Sequence, residues 1–167
     1  DESEIDRRVR KAAEFVGLKD ELLEKSPFDL SGGEKRRAAI AGVLAMEPSV
    51  LIMDEPTAGL DPRGREKIIQ LIKKYREETG STVVLVSHSM EDVARLADRI
   101  LVMENGSPVM LSSVKSVFSQ RSRLVSMGLN VPQIAQVFSG LRSRGLPVSA
   151  DIFTVEEGVK ELLRVSQ

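Results

Sequence analysis

The sequence contains no cysteine, which excludes disulfide bonds and metal sites built on thiolates. It has no apolar run near the roughly 20 residues of a membrane-spanning helix and no recognisable secretory signal, so we expect any membrane association to be peripheral. The sequence has no excess of basic charge, since it contains 24 Lys and Arg residues and 25 Asp and Glu residues. This balance disfavours a nucleic-acid partner. The 167 residues, 41% of them hydrophobic, suffice for one globular domain with a small addition.

A short apolar segment, Val50–Met53, is followed directly by two carboxylates, Asp54 and Glu55. Four apolar residues in succession predict a strand that is buried on both faces. Ligands of open parallel sheets lie beyond the carboxyl ends of the strands. We therefore expect Asp54 and Glu55 to lie at a binding or catalytic site.

A helix and a second strand follow these carboxylates. Asp61 and Pro62 are the residue types of an N-cap and a first helical position, and Thr82–Val86 is a second apolar strand. Strand, helix and strand make a βαβ unit, whose strands are expected to be parallel. His88, the only histidine, follows the second strand at the predicted sheet edge of the two carboxylates. That position favours a functional role over a structural one.

The segment Ser31-Gly32-Gly33-Glu34 has the spacing of a capping box, in which Ser31 and Glu34 together cap the start of a helix. Glycine is costly in a helix, but it lets a ligand approach the main chain closely. Helix N-termini also attract anions. The segment therefore predicts either an anion site or an ordinary N-cap.

The rest of the chain is read as helices and one hairpin. Helices are predicted over Ser3–Val16, from Ser89 through Leu96 and Ala97, and over Val114–Met127, Val131–Arg144 and Thr154–Val165; strands are predicted over Arg99–Glu104 and Val109–Leu111, joined by Asn105-Gly106. The expected fold class is α/β with a mostly parallel sheet. Residues 1–111 would form it, with a helical part at 1–46 and a core at 47–111, and residues 112–167 would add a small helical appendage.

Four segments resemble motifs of the ATP-binding-cassette (ABC) ATPases, which have a P-loop nucleoside triphosphatase fold. Leu30–Glu34 resembles the signature motif of that family, and Val50–Glu55 resembles its Walker B strand. Ala58–Asp61 resembles the D-loop, and His88 resembles the switch histidine. Each motif alone is a weak signal, but the shared order and spacing of all four carry the resemblance.

Within this family, the chain is most similar to the ATPase subunits of the energy-coupling-factor importers, which take up cobalt, nickel or vitamins in prokaryotes. The similar segments are Leu44–Pro48, Asp54–Pro62, Ser87–Val93, Leu129–Pro132 and Thr154–Glu157. The resemblance implies a peripheral subunit at the cytoplasmic face of the cell membrane. Its partners would be a second ABC ATPase subunit, identical or paralogous, a transmembrane coupling protein and a substrate-binding membrane subunit. The helical tail would help the two ATPase subunits to pair.

The resemblance also implies ATP hydrolysis with Mg²⁺. Asp54 is suited to hold Mg²⁺, which prefers carboxylate oxygen and water, and Glu55 is suited to be the general base that activates the attacking water. His88 would hydrogen-bond the γ-phosphate and this water, and would so sense the phosphate.

The remaining implied roles concern the contact between two subunits. Ser31, Gly32, Gly33 and Glu34 would form the binding surface for the nucleotide held by the opposite subunit, where the helix N-terminus adds favourable electrostatics. Asp61 would lie across the dimer interface and couple the two sites.

The chain departs from the family because the motif Gly-x-x-x-x-Gly-Lys-Ser/Thr does not occur in it. The glutamine loop and the β-subdomain with the adenine-stacking aromatic residue are also absent. The favoured interpretation is a fragment of a complete ATPase that is inactive by itself. One alternative is a half-cassette that binds no nucleotide alone and serves as a partner-binding module. Another is a non-transport ABC protein of DNA repair or translation, which no long heptad region or basic patch supports.

Overall fold

The structure is a computed structural model that describes residues 1–166, and it divides into two compact units, Asp1–Val84 and the residues from Leu85 onward. The first unit contains α1 (Glu2–Phe15), two short 3-10 helices (Asp20–Leu22 and Pro27–Asp29), α2 (Gly32–Leu44), β1 (Val50–Asp54) and α3 (Pro62–Thr79). Strand β2 (Thr82–Val86) runs from the first unit into the second. The second unit contains α4 (Met90–Leu96), β3 (Arg99–Glu104), β4 (Ser107–Ser113), α5 (Val114–Phe118), α6 (Arg121–Ser126), α7 (Gln133–Ser143) and α8 (Val155–Val165). None of the helices described is long and apolar enough to cross a membrane.

Aromatic and main-chain contacts fix the position where β1 begins. Phe15 of α1 packs edge-on against Tyr75 of α3, with ring centroids 6.0 Å apart. The Tyr75 hydroxyl donates to the Pro48 carbonyl at 3.2 Å, and the Ser81 hydroxyl donates to the same oxygen at 2.9 Å. Helices α1 and α3 are therefore tied to each other and to the residues that precede β1.

Strand β1 is buried on one face only, so the expectation of burial on both faces is wrong for the described chain. Leu51 and Met53 are buried, whereas Val50 and Ile52 are 52% and 69% exposed. Side chains alternate between the two faces of a strand, and the described residues cover only the face that carries Leu51 and Met53.

Strands β1 and β2 are hydrogen-bonded neighbours. The Thr82 N–H, at the start of β2, donates to the carbonyl of Ser49, directly before β1, at 3.0 Å. The two strands thus begin side by side, as in a parallel pair joined through a crossover helix.

Strands β3 and β4 form a separate antiparallel hairpin. The predicted Asn105-Gly106 turn is confirmed, since Glu104 pairs with Ser107 and the turn residues have φ of 49° and 76°. Two successive residues with positive φ suit the right-handed twist of a hairpin. The described strands therefore make two small sheets, one of them antiparallel, and the single mostly parallel sheet expected from the sequence is not formed by these residues alone.

The second unit has one main apolar cluster. It consists of Val102 from β3, Val117 and Phe118 from α5, Leu124 from α6, Val131 and Phe153. The helices after residue 112 thus share a core with β3. The expected division into 1–111 and 112–167, with a dimerisation role for the latter, stays a prediction.

The single helix predicted over Val114–Met127 is wrong, because α5 ends at Phe118 and α6 begins at Arg121. The side chains of Ser119 and Gln120 donate to the Ser116 carbonyl at 3.1 and 3.2 Å. That carbonyl would accept the Gln120 main-chain N–H in a continuous helix. This N–H instead donates to the Val117 carbonyl at 3.0 Å, and the helix is interrupted.

Helix α8 packs closely on α7 and is anchored by a carboxylate. A Cβ at Gly158 would lie 3.0 Å from Phe138, so this contact depends on glycine. The buried Glu161 carboxylate accepts from the Ser149 N–H at 2.5 Å and from the Arg164 guanidinium at 2.8 Å. The bonds from Arg164 and then from Ser149 lower the pKa of Glu161 from 4.5 to about 2.

We predict that Glu161→Gln weakens the C-terminal helices at neutral pH and makes stability less sensitive to acid. A carboxylate with a lowered folded-state pKa stabilises the fold above pH 4.5, and this contribution disappears as the pH falls toward about 2. Denaturant unfolding of both proteins at pH 7 and pH 3 checks this, since the difference should shrink at pH 3. Glu156→Gln, on the exposed side of α8, is the control. A difference that does not change with pH would contradict the prediction.

Candidate functional site

The predicted capping box is present at the start of α2. The Ser31 N–H donates to Glu34 Oε2 at 2.8 Å, and the Glu34 N–H donates to Ser31 Oγ at 3.4 Å. Hydrogen bonds with the hydroxyl and then with the main chain of Ser31 lower the pKa of Glu34. Glu34 is therefore an ionised cap of its own helix.

The capping box leaves two N–H groups available at the same helix end. The first four N–H groups of a helix have no acceptor within the helix, and here Ser31 and Glu34 satisfy two of them. The N–H groups of Gly32 and Gly33 have no acceptor among the described residues, and both glycines are exposed. The Ser31 hydroxyl accepts from the Glu34 N–H and also bonds the Glu34 carboxylate, so its one proton is already used. This end of α2 can thus offer an anion two donors at the positive end of the helix dipole.

The two carboxylates after β1 occupy different conformations. Asp54 is the last residue of β1 and is exposed, whereas Glu55 is half-buried and has a φ of 45°. A left-handed conformation at a residue with a side chain costs on the order of 1–3 kcal/mol and is concentrated at functional sites. The Ala58 N–H donates to the Glu55 carbonyl at 3.1 Å, which closes a turn over residues 55–58. The sequence gives no sign of this strain.

Arg36 connects α2 to this turn, and the sequence analysis did not identify it. Its guanidinium donates to the Glu55 carbonyl at 2.8 Å and to the Ala58 carbonyl at 2.9 Å. The sequence feature that could have indicated this contact is the arginine pair Arg36-Arg37 in an alanine-rich, closely packed helix. A guanidinium that is partly buried needs hydrogen-bond acceptors. The signature-like helix and the carboxylate turn are therefore directly bonded.

Asp61 is the N-cap of α3, as predicted. Its Oδ1 accepts from the Gly64 N–H at 2.8 Å. A Cβ at Gly64 would lie 2.7 Å from the same oxygen, so glycine leaves room for the cap. At least one oxygen of Asp61 thus serves the fold, and the coupling role expected for this residue stays a prediction.

His88 lies in the second unit, two residues after the end of β2, and is exposed. The following Ser89 caps α4 by accepting from the Asp92 N–H at 3.3 Å, which confirms the predicted helix start. The approach of His88 to the carboxylates after β1 stays a prediction.

The residues present fit a magnesium ion that arrives with a nucleotide. Among the described residues, no group of three or more His, Cys, Asp or Glu side chains could hold a metal ion. Mg²⁺ commonly keeps several waters and binds through one or two carboxylates together with substrate phosphates. Asp54, exposed at the end of β1, is a carboxylate of the type that such a site uses; its role as the magnesium ligand stays a prediction. Two cavities of the first unit, of about 540 and about 600 Å³, are lined by none of the candidate site residues.

Comparison with known proteins decides the family. Residues 8–93 match the family described as an AAA domain, putative AbiEii toxin, of a type IV toxin–antitoxin system. The chain is 49% identical over 163 residues to the energy-coupling factor transporter ATP-binding protein EcfA2 of Caldanaerobacter subterraneus subsp. tengcongensis, which covers 98% of this chain and 57% of that protein. The structure of cbiO1 from Clostridium perfringens, part of the ABC transporter complex cbiONQ, matches 83% of this chain and 55% of that chain, with a TM-score of 0.64 and 38% identity.

The chain belongs to the ABC ATPase family. A dimeric ATP-binding cassette in a post-hydrolysis state, bound to ADP and Pi, also matches it, with a TM-score of 0.57 and 34% identity over 65% of this chain and 46% of that chain. The family resemblance carried by the four motifs and the P-loop fold class are thereby confirmed. The cassette described here is partial, because the chain spans somewhat more than half the length of the curated relatives it matches.

We predict that Asp61→Ala lowers the free energy of unfolding by about 1 kcal/mol, whereas Asp61→Asn changes it little. Asparagine caps a helix about as well as aspartate, and alanine does not. Urea denaturation of the two variants measures this directly. Because both variants lose the carboxylate charge, equal destabilisation would show that charge, and not the cap, is what Asp61 contributes to stability.

Proposed function

We propose that the chain is part of an ATP-hydrolysing subunit of an energy-coupling-factor importer for cobalt, nickel or a vitamin. The subunit would lie peripherally at the cytoplasmic face of a prokaryotic membrane. Its partners would be a second ABC ATPase subunit, a transmembrane coupling protein and a substrate-binding membrane subunit. The phosphate-binding loop would come from residues outside this sequence.

The observation that carries this proposal is the pair of N–H groups at Gly32 and Gly33, left without acceptors by the capping box. Helix ends of this kind bind phosphate groups in many nucleotide-binding proteins. Arg36 then ties this helix to the turn of Glu55. The similarity to a transporter ATP-binding protein, 49% identity over 98% of the chain, supports the transport role.

Each candidate residue has a role that its position and chemistry support. Asp54 would hold Mg²⁺, which supplies charge stabilisation to the phosphates when it is bound. Glu55 would accept a proton from the attacking water, and His88 would hydrogen-bond the γ-phosphate. These roles suit a reaction that depends mainly on positioning and electrostatic stabilisation.

The nucleotide of a partner subunit would bind at the start of α2. There the donors would be the N–H groups of Gly32 and Gly33, while Ser31 and Glu34 would hold the cap that exposes them. Asp61 would couple the two sites across the interface. The two nucleotides of a dimer would then each depend on both subunits.

Other functions have less support. A partner-binding half-cassette would not require Asp54, Glu55 and His88 together, because these residues serve only a nucleotide. The toxin description belongs to a family that matches residues 8–93, whereas the similarity to EcfA2 also includes the C-terminal helices. A non-transport ABC protein would leave that similarity unexplained.

The tail supports pairing with the second ATPase subunit through α8. Val155, Val159, Leu162 and Leu163 form an exposed apolar stripe along this helix, and Leu163 is 60% exposed. Residues spaced by three and four share one face of a helix. The neighbouring face of α8 is already used, since Gly158 and Glu161 are buried. An apolar stripe of this kind suits a second subunit.

We predict that Glu55→Gln in the full-length ATPase keeps ATP binding but lowers turnover by about 100-fold or more, since general-base catalysis contributes roughly 10²–10⁴-fold. Glutamine preserves the size of the side chain but cannot take the proton. Phosphate release and nucleotide affinity are the measurements. The control is Glu47→Gln, because Glu47 also has a positive φ, 49°, but lies before β1. Near-normal hydrolysis by Glu55→Gln would remove Glu55 from the base role.

We predict that Leu163→Gln weakens subunit pairing by about tenfold or more, because burying a leucine side chain contributes roughly 1.5–3 kcal/mol. Sedimentation of the full-length ATPase without nucleotide measures the association constant. Lys160→Gln, exposed on the same helix but outside the stripe, is the matched control. Unchanged association of Leu163→Gln, or an equal loss in Lys160→Gln, would argue against pairing through α8.

A further inference from the structure

We propose that Arg36 is a positioning residue for hydrolysis, which holds the main chain of Glu55 and links it to the first turn of α2. This inference rests on the proposed role of Glu55 as general base. Arg36 itself would touch neither the nucleotide nor the attacking water.

The guanidinium of Arg36 clamps both ends of one turn. Its two terminal nitrogens donate to the carbonyls of Glu55 and Ala58, at 2.8 and 2.9 Å, and these are the first and last residues of the turn. The turn is also closed by the Ala58 N–H, which donates to the Glu55 carbonyl at 3.1 Å. The Glu55 carbonyl therefore accepts one hydrogen bond from within the turn and a second from Arg36 of α2.

This clamp acts on a residue that the local main chain does not favour. Glu55 has a φ of 45°, and a conformation of this kind persists only when its surroundings determine it. Arginine is suited to the task because its planar fork is rigid and always charged, so it can bond two carbonyls at a fixed separation. Lysine has neither the fork nor its spacing.

Arg36 also connects Glu55 to the N–H donors in the preceding turn of α2. It lies on the second turn of α2, and the acceptor-free N–H groups of Gly32 and Gly33 lie on the first turn. A helix transmits a displacement of its first turn to its second as a rigid element. A phosphate held at Gly32 and Gly33 would thereby fix Arg36, and through it the carbonyl of Glu55.

The experiment compares Arg36→Gln, Arg36→Lys and Lys35→Gln in the full-length ATPase. We expect Arg36→Gln to lower kcat by about 10- to 100-fold at an unchanged KM for ATP, because a misplacement of about 1 Å can cost on the order of 100-fold. Arg36→Lys should give an intermediate kcat, since one of the two bonds can be kept. Lys35→Gln removes the same charge from the adjacent, exposed position and should leave kcat unchanged.

An unchanged kcat in Arg36→Gln would overturn the proposal. A loss of ATP affinity in both Arg36 variants would also overturn it, because Arg36 would then serve binding. So would a lowered melting temperature that accounts for the lost turnover, because Arg36 would then serve the fold alone. Glu55→Gln, measured in parallel, separates the two hypotheses. If it retains turnover, the role of Glu55 fails; if it abolishes turnover while Arg36→Gln does not lower kcat, only the positioning role fails.

Discussion

The first unit depends on one four-residue turn, from Glu55 to Ala58, at the end of β1. Its first residue, Glu55, has a φ of 45°. Arg36 bonds the carbonyls of its first and last residues. The turn begins directly after Asp54, so Asp54 belongs to β1 and Glu55 belongs to the turn. In a regular strand, adjacent side chains point to opposite faces. The change of main-chain conformation at Glu55 ends that alternation directly after Asp54.

Strain at Glu55 is accompanied by order on both sides of the turn. Before β1, the Pro48 carbonyl accepts from Tyr75 and Ser81. After the turn, Asp61 fixes the start of α3 through the Gly64 N–H. The backbone conformation of a strained residue is maintained by such flanking constraints, because each removes an alternative path for the chain. Helix α2 adds the third constraint through Arg36.

Local chemistry explains which features could be predicted from the sequence. The capping box of Ser31 and Glu34, the cap at Asp61 and the Asn105-Gly106 hairpin depend on residues within four positions of each other, and the structure contains all three. The break between α5 and α6 could not be predicted from apolar periodicity, because it comes from polar side chains that take one carbonyl from the helix. The left-handed Glu55 and its bond to Arg36 join residues 19 positions apart. No local pattern encodes such a contact.

The apolar run of β1 indicates that this strand has contacts on both faces, more than the described residues provide. Alternating burial requires only Leu51 and Met53 to be apolar, yet Val50 and Ile52 are apolar too and remain exposed. Continuous apolar strands belong to sheets covered on both faces, and an exposed apolar patch commonly marks a surface that another element or partner covers. The similar EcfA2 protein is longer, since the aligned region covers 57% of it. Both facts support the proposal that the phosphate-binding loop comes from residues outside this sequence. The same strand that ends at Asp54 would then carry an apolar face suited to packing against those residues.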